Sequence, residues 1–153
     1  MADMRRLAAI VALTLAACGR AHGCPDPATP GHVTFAGGAA LTVRIADEPG
    51  ERALGLMEVT DLQPDEGMAF LYGGPTEAVY WMKDTPVPLS IAFVAGHEIV
   101  TILEMTPCAG APCPTYASGR PYTMAIEARA GWFAVHGIEE GDRIRSFDGP
   151  FCD

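Results

Sequence analysis

An indole ring, a thioether, an ammonium and a carboxylate stand side by side at Trp81, Met82, Lys83 and Asp84, just before the apolar run Leu89 to Val94. Such a set can meet a flat ring, a soft cation or an acid-bearing ligand, depending on what folds against it. The polar partners offered elsewhere are Arg52, Tyr116 and Glu127. Glu127 lies in Met124-Ala125-Ile126-Glu127-Ala128, where an acid is costly to bury unless a cation pairs with it, so Arg52 or Lys83 is its expected partner. Together, Arg52, Trp81, Lys83, Asp84, Tyr116 and Glu127 form a candidate binding site for a carboxylate, a sugar or a partner protein. The same residues also suit a purely architectural role, with Arg52 and Glu127 as an internal ion pair pinning a short helix to a sheet.

Two other chemistries deserve comparison. Met57, Met68 and Met82, with Trp81 beside Met82 and with Met105 and Met124 further along, offer thioethers suited to Cu(I). Methionine also fills irregular cores, and here it alternates with Phe70, Tyr72 and Ile126 as core residues do. No other metal is expected. Asp84 and Glu127 would serve an enzyme acting on envelope saccharide or peptide, provided that they stand about 5 to 9.5 Å apart across a cleft. Against catalysis, the chain has no Gly-x-Ser-x-Gly elbow, no phosphate-binding glycine loop and no His-Glu-x-x-His, and its four histidines occur in unrelated contexts. The reading is therefore a non-enzymatic binding domain, with no cofactor expected.

The elements that must position these residues are short. Thirteen prolines and seventeen glycines interrupt the chain too often for long helices. Leu41, Val43 and Ile45 alternate with Thr42 and Arg44 in the period of a half-buried strand. Strands are also expected at Met68 to Tyr72, Ala78 to Met82, Leu89 to Val94, Glu98 to Met105, Tyr122 to Ala128 and Arg143 to Phe147. Short helices are expected within Pro49 to Met57 and Ala130 to Val135. The fold class is mostly β, a compact single-domain sandwich or barrel-like fold with one or two short helices.

The N-terminus reads as an address. Arg5 and Arg6 precede the apolar run Leu7 to Ala17, which is shorter than the roughly 18 residues a spanning helix needs. Leu15-Ala16-Ala17-Cys18 resembles a lipoprotein cleavage site, so residues 1–17 are expected to be a signal peptide and Cys18 the lipidated residue. Residues 18–32 read as a Pro/Gly-rich tether and 33–153 as one β-rich domain. The chain would then be exported and lipid-anchored at the cell envelope; by similarity to lipoprotein sorting, Gly19 favours the outer membrane, facing the periplasm. Cleavage removes one acid and two bases, taking the formal charge from −9 to −10. With no basic patch on so acidic a chain, nucleic acid is not an expected partner; a small molecule, glycan or envelope protein is. Four cysteines remain in an oxidising compartment, and an even number implies bridges. Cys108 to Cys113, closing the Pro-rich loop, and Cys24 to Cys152 are the favoured pairs.

Gly50 to Met57 (GERALGLM), Gly67 to Phe70 (GMAF), Trp81 to Val94 (WMKDTPVPLSIAFV), AIEARAGWF and GIEEGDRI together resemble the bacterial and archaeal family called domain of unknown function 192, over a core of about residues 41–144. The resemblance implies a compact β-sandwich with short helices and supplies no established activity. In that family the Lys-Asp-Thr element is usually Lys-Asn-Thr and the position of Ser90 is usually Asp. Here an acid stands at Asp84 instead, which keeps a hydrogen-bond acceptor and loses the amide donor.

Overall fold

The computed structural model describes residues 30–149. The signal peptide, Cys18 and the Cys24 to Cys152 pair expected from the sequence lie outside the described residues. Nine strands run β1 (Gly31–Phe35), β2 (Ala40–Ala46), β3 (Glu66–Thr76), β4 (Tyr80–Trp81), β5 (Leu89–Ala95), β6 (Glu98–Met105), β7 (Thr115–Tyr116), β8 (Tyr122–Arg129) and β9 (Ile144–Asp148), with helices α1 (Pro49–Leu54) and α2 (Trp132–Val135). Seven strands form one sheet in the order β6-β5-β8-β3-β2-β1-β9, and β4 pairs with β7 in a separate ribbon. The mostly-β, barrel-like expectation holds, realised as a curled half-barrel. β1 begins at Gly31, so the last two residues of the span 18–32 are strand.

Side chains on successive strand residues point to opposite faces, and the core divides accordingly. Ala69, Ala92, Val94, Ile126 and Ala128 pack on one face with Trp132 and Phe133 of α2. Met68, Phe70, Ile91, Phe93 and Ala125 pack on the other with Leu56, Leu62, Tyr80, Met82 and Met105. The central strand β5 is buried from Leu89 through Val94 because both faces are covered.

The ribbon is held over the second face by its inward residues. Tyr80 meets Phe70 edge-on at 5.0 Å between ring centroids and Phe93 at 5.7 Å. Such perpendicular ring contacts add to the area buried, each by about 0.5–1.5 kcal/mol. α1 follows β2: Pro49 opens it, and the Glu51 carboxylate accepts the Glu48 N–H at 3.2 Å, satisfying a free donor of the first turn.

Candidate functional site

The segment from Val79 to Lys83 alternates strictly. Val79 and Trp81 are exposed, Tyr80 and Met82 are buried, and Lys83 is exposed again. The buried residues anchor the segment, so Trp81 and Lys83 are presented outward on a rigid base. The chain then reverses: Thr85 N–H donates to the Met82 carbonyl at 3.3 Å, and the Thr85 hydroxyl donates to the Lys83 carbonyl at 3.1 Å. Asp84 occupies this turn at φ 51°, a left-handed conformation that Asp and Asn accept more readily than other non-glycine residues. Its carbonyl accepts the N–H of Glu58, itself at φ 61°, at 2.7 Å. Asp84 thus has a backbone task that either Asp or Asn can perform.

The Cys108–Cys113 disulfide closes a five-residue step in the chain, as expected, and the Cys108 N–H reaches the same Met82 carbonyl at 3.4 Å. Turn and loop thereby form two walls of an open groove of about 590 Å³. Trp81, Lys83 and Asp84 line one side, and the bridged loop with Thr115 lines the other. Trp81 is 50% exposed, and the Lys83 ammonium lies 5.5 Å from its ring centroid. Lys83 also stands 3.7 Å from the Asp84 carboxylate, with both side chains largely in water. A pair so exposed contributes little to stability and is free to exchange partners.

The other three expected site residues lie elsewhere. Arg52 donates from Nη1 to the carbonyls of Asp47 and Leu71, the latter at 2.9 Å, and its guanidinium covers the Tyr72 ring at 5.1 Å. It holds the carbonyls of Asp47, just past β2, and of Leu71 in β3 rather than meeting Glu127. Tyr116 pairs with Tyr80 across the ribbon and accepts the Thr106 N–H at 3.1 Å, while its neighbour Thr115 lines the groove. Its hydroxyl organises the loop.

Glu127 is 4% exposed and stands between Met68 of β3 and Ile91 of β5, on the face shared with Tyr80 and Met82. The expected pairing with Arg52 or Lys83 does not form: the one reaches back to backbone carbonyls and the other faces water. The electrostatic neighbour of Glu127 is the Tyr80 phenol, and no buried side-chain oxygen among the described residues is left without a hydrogen-bond partner. Burial pushes the Glu127 carboxyl group up to about 8, so it is mainly protonated at neutral pH. Asp84 lines the groove and Glu127 does not, so the two acids do not share a cleft there. Beside Glu127, the Tyr72 and Tyr80 hydroxyls are bonded at 2.9 Å, and burial, together with that bond, raises Tyr80 far above the usual phenol range.

The methionines divide as well. Met68, Met82 and Met105 are buried in the same layer as Glu127; Met124 packs on the opposite face, and Met57 is half-buried outside both clusters. Trp81 points away from Met82 into the groove, so the expected thioether–indole set is not assembled. Among the described residues no group of three or more His, Cys, Asp or Glu side chains is placed to hold a metal ion.

A further polar contact centres on Ser90. Ser90 is completely buried; its hydroxyl donates to the Glu104 carboxylate at 2.6 Å and accepts the Gly131 N–H at 2.8 Å. Glu104, its cross-strand neighbour, also accepts from Gly131 at 3.2 Å. The acid at this spot therefore comes from the adjacent strand, a relation that sequence spacing does not reveal.

A protein family described as Uncharacterized ACR, DUF192, matches residues 32–146. A solved structure from Sinorhizobium meliloti 1021, described as a "putative transcription regulator", is 32% identical with a TM-score of 0.67, over 76% of this chain and 91% of that one. A protein of unknown function from Novosphingobium aromaticivorans DSM 12444 is 31% identical with a TM-score of 0.66, over 77% of this chain and 84% of that one. No curated protein matches.

Proposed function

We propose, given that the chain belongs to the DUF192 family of uncharacterised proteins, that it is a non-enzymatic binding domain whose ligand lies in the groove between Trp81 and the Cys108–Cys113 loop. The observation that carries this reading is the exposed indole of Trp81, held on a buried base beside an ammonium and facing an apolar, bridged wall. A large ring left half in water, with a cation at its edge, suits a ligand that has a flat or apolar face and an acidic group. Envelope glycans bearing carboxylates and short acidic peptides are of this kind. The lipoprotein-type N-terminus supports a place at the envelope, anchored through Cys18 and exposed to the periplasm.

The acid pair required by the enzyme reading is split between the groove and the core, which favours binding over glycoside or peptide cleavage. The transcription-regulator description of the Sinorhizobium meliloti protein has no support in this chain's charge, which is −9.

Tryptophan emission tests the proposal. Trp132 is 5% exposed and Trp81 50%, so a Trp132→Phe variant leaves the groove indole as the reporter. Titration with carboxylated envelope disaccharides and acidic peptides is expected to give a saturable shift that Lys83→Ala weakens, and titration calorimetry on the parent chain is expected to lose its heat of binding when Trp81 is replaced. Emission unmoved by the whole panel at millimolar concentration would remove the groove as a ligand site.

A further inference from the structure

We infer that the groove takes a zwitterion: an α-amino-acid head, with its ammonium and carboxylate on one carbon, that meets Lys83 and Asp84 together while the rest of the ligand lies along Trp81. This rests on the groove reading proposed above and narrows it to one class of head group. Three observations carry it. First, Lys83 and Asp84 are the charged residues among those that line the groove, and the bridged wall opposite adds no charge. Second, their charged groups stand 3.7 Å apart with side chains 52% and 60% exposed, so both are open to a ligand. Third, the base beneath them is fixed. The Thr85 hydroxyl and N–H hold the carbonyls of Lys83 and Met82, and the Asp84 carbonyl accepts the Glu58 N–H.

The turn itself does not need the Asp84 carboxylate. Its φ of 51° is one that asparagine also accepts, and the contact to Glu58 uses main-chain atoms. The carboxylate meets Lys83, in an ion pair that water weakens. It is therefore available for recognition.

Charge decides the class of ligand. A ligand bearing only an acid draws Lys83 away from Asp84, which replaces one ion pair by another and sets two carboxylates about one ammonium. A ligand bearing only an amine creates the mirror-image conflict at Asp84. An α-amino-acid head places its carboxylate against Lys83 and its ammonium against Asp84, so four charges alternate in sign and none faces its like. The short spacing of the protein's pair matches a head whose own charges flank a single carbon. Trp81, half exposed, offers the substituent on that carbon an aromatic face. At about 590 Å³ the groove falls within the range of small-molecule sites, about 300–1,000 Å³, so the head can arrive as a free amino acid or on the side chain of a peptide.

Titration calorimetry of the full chain with matched ligands tests the inference. Phenylalanine carries both charges, phenylpropionate only the acid and phenethylamine only the amine, all on the same ring. Phenylalanine is expected to bind about tenfold more tightly than either. Asp84→Asn, which keeps the turn, should weaken phenylalanine about tenfold and tighten phenylpropionate about twofold, because Lys83 loses its competing neighbour. Lys83→Gln should weaken phenylalanine and tighten phenethylamine. A tripeptide whose side chain ends in an α-amino acid distinguishes the sources: whichever of it and phenylalanine binds more tightly is the native kind, and the Asp84→Asn loss is expected for that ligand. Phenylpropionate that binds as tightly as phenylalanine, or an Asp84→Asn variant that tightens both, would overturn the inference and leave an acid-binding groove standing. The same holds if envelope disaccharides or acidic peptides bind while neither phenylalanine nor the tripeptide does. No heat from any of these ligands would remove the inference and the groove reading together.

Discussion

Gly67 lacks a side chain where the backbone carbonyl of Glu127 crosses it: a Cβ at Gly67 would collide with that oxygen and approach Leu41 Cδ2 to 2.9 Å. The obstacle is main chain in the middle of a sheet, so it cannot rotate away. This close approach of β3 to β8 fixes the neighbouring pair, Met68 opposite Glu127.

Gly67→Ala is accordingly expected to destabilise the fold by about 3 kcal/mol, the upper end for overpacking. Urea denaturation followed by far-UV circular dichroism measures it, and a change below about 0.5 kcal/mol would show that the strands separate without cost.

Glu127 gives the fold a distinct pH dependence. Its folded pKa, about 8, exceeds the ordinary value of 4.5, so between these limits the native state holds a proton that the unfolded chain has released. Stability from this group is full below about pH 4.5, falls as pH rises and levels off above 8. Glu127→Gln removes the slope. Relative to the parent it should be nearly neutral at pH 4.5 and more stable by about 3 kcal/mol at pH 7. Parallel stability curves for parent and variant from pH 5 to 8 would contradict the burial of the Glu127 carboxyl group.

Ser90 joins two strands to the start of α2 through Glu104 and Gly131. Ser90→Ala removes a buried hydroxyl and leaves the Gly131 N–H with only the longer Glu104 contact, a loss of about 1–3 kcal/mol. A double-mutant cycle with Glu104→Gln should give a coupling above about 0.5 kcal/mol. Additive losses would mean that the two side chains act separately.

Cys108 and Cys113 are five residues apart, so the chain-entropy contribution of their bridge is small, about 2 kcal/mol. Replacing both with Ser should lower the melting temperature modestly and weaken groove ligands strongly, because the loop is one wall of the groove. Undiminished ligand affinity would exclude that wall from the binding surface.

Cys18→Ser is expected to abolish labelling by radioactive palmitate in cells and to leave the precursor uncleaved. Labelling that persists would refute the assignment of the lipid anchor.

Period-two alternation makes β2 legible at Leu41, Val43 and Ile45, and three residues of the expected site, Trp81, Lys83 and Asp84, line one groove. β1 and β7 are not legible in the sequence because Gly31–Phe35 starts beside a Pro/Gly-rich stretch and Thr115–Tyr116 spans two residues. The expected acid–cation pairing fails for a physical reason. Composition shows that Glu127 needs compensation, but only strand register reveals that its neighbours are Met68 and Ile91. Likewise, α1 turns Arg52 toward the carbonyls of Asp47 and Leu71 and away from Glu127.

The curl of the sheet brings its two outer strands, β6 and β9, together at one end. Ile99 N–H donates to the Asp142 carbonyl, Gly141 N–H to Ile99 and Ile144 N–H to His97, each at 2.8 Å, and Glu98 bridges Arg143. Hydrogen-bonding groups that an open sheet would offer to another molecule are consumed within the chain. Many copies held side by side on one surface would therefore lack a ready template for strand addition at that end, a safeguard against fibrous self-association.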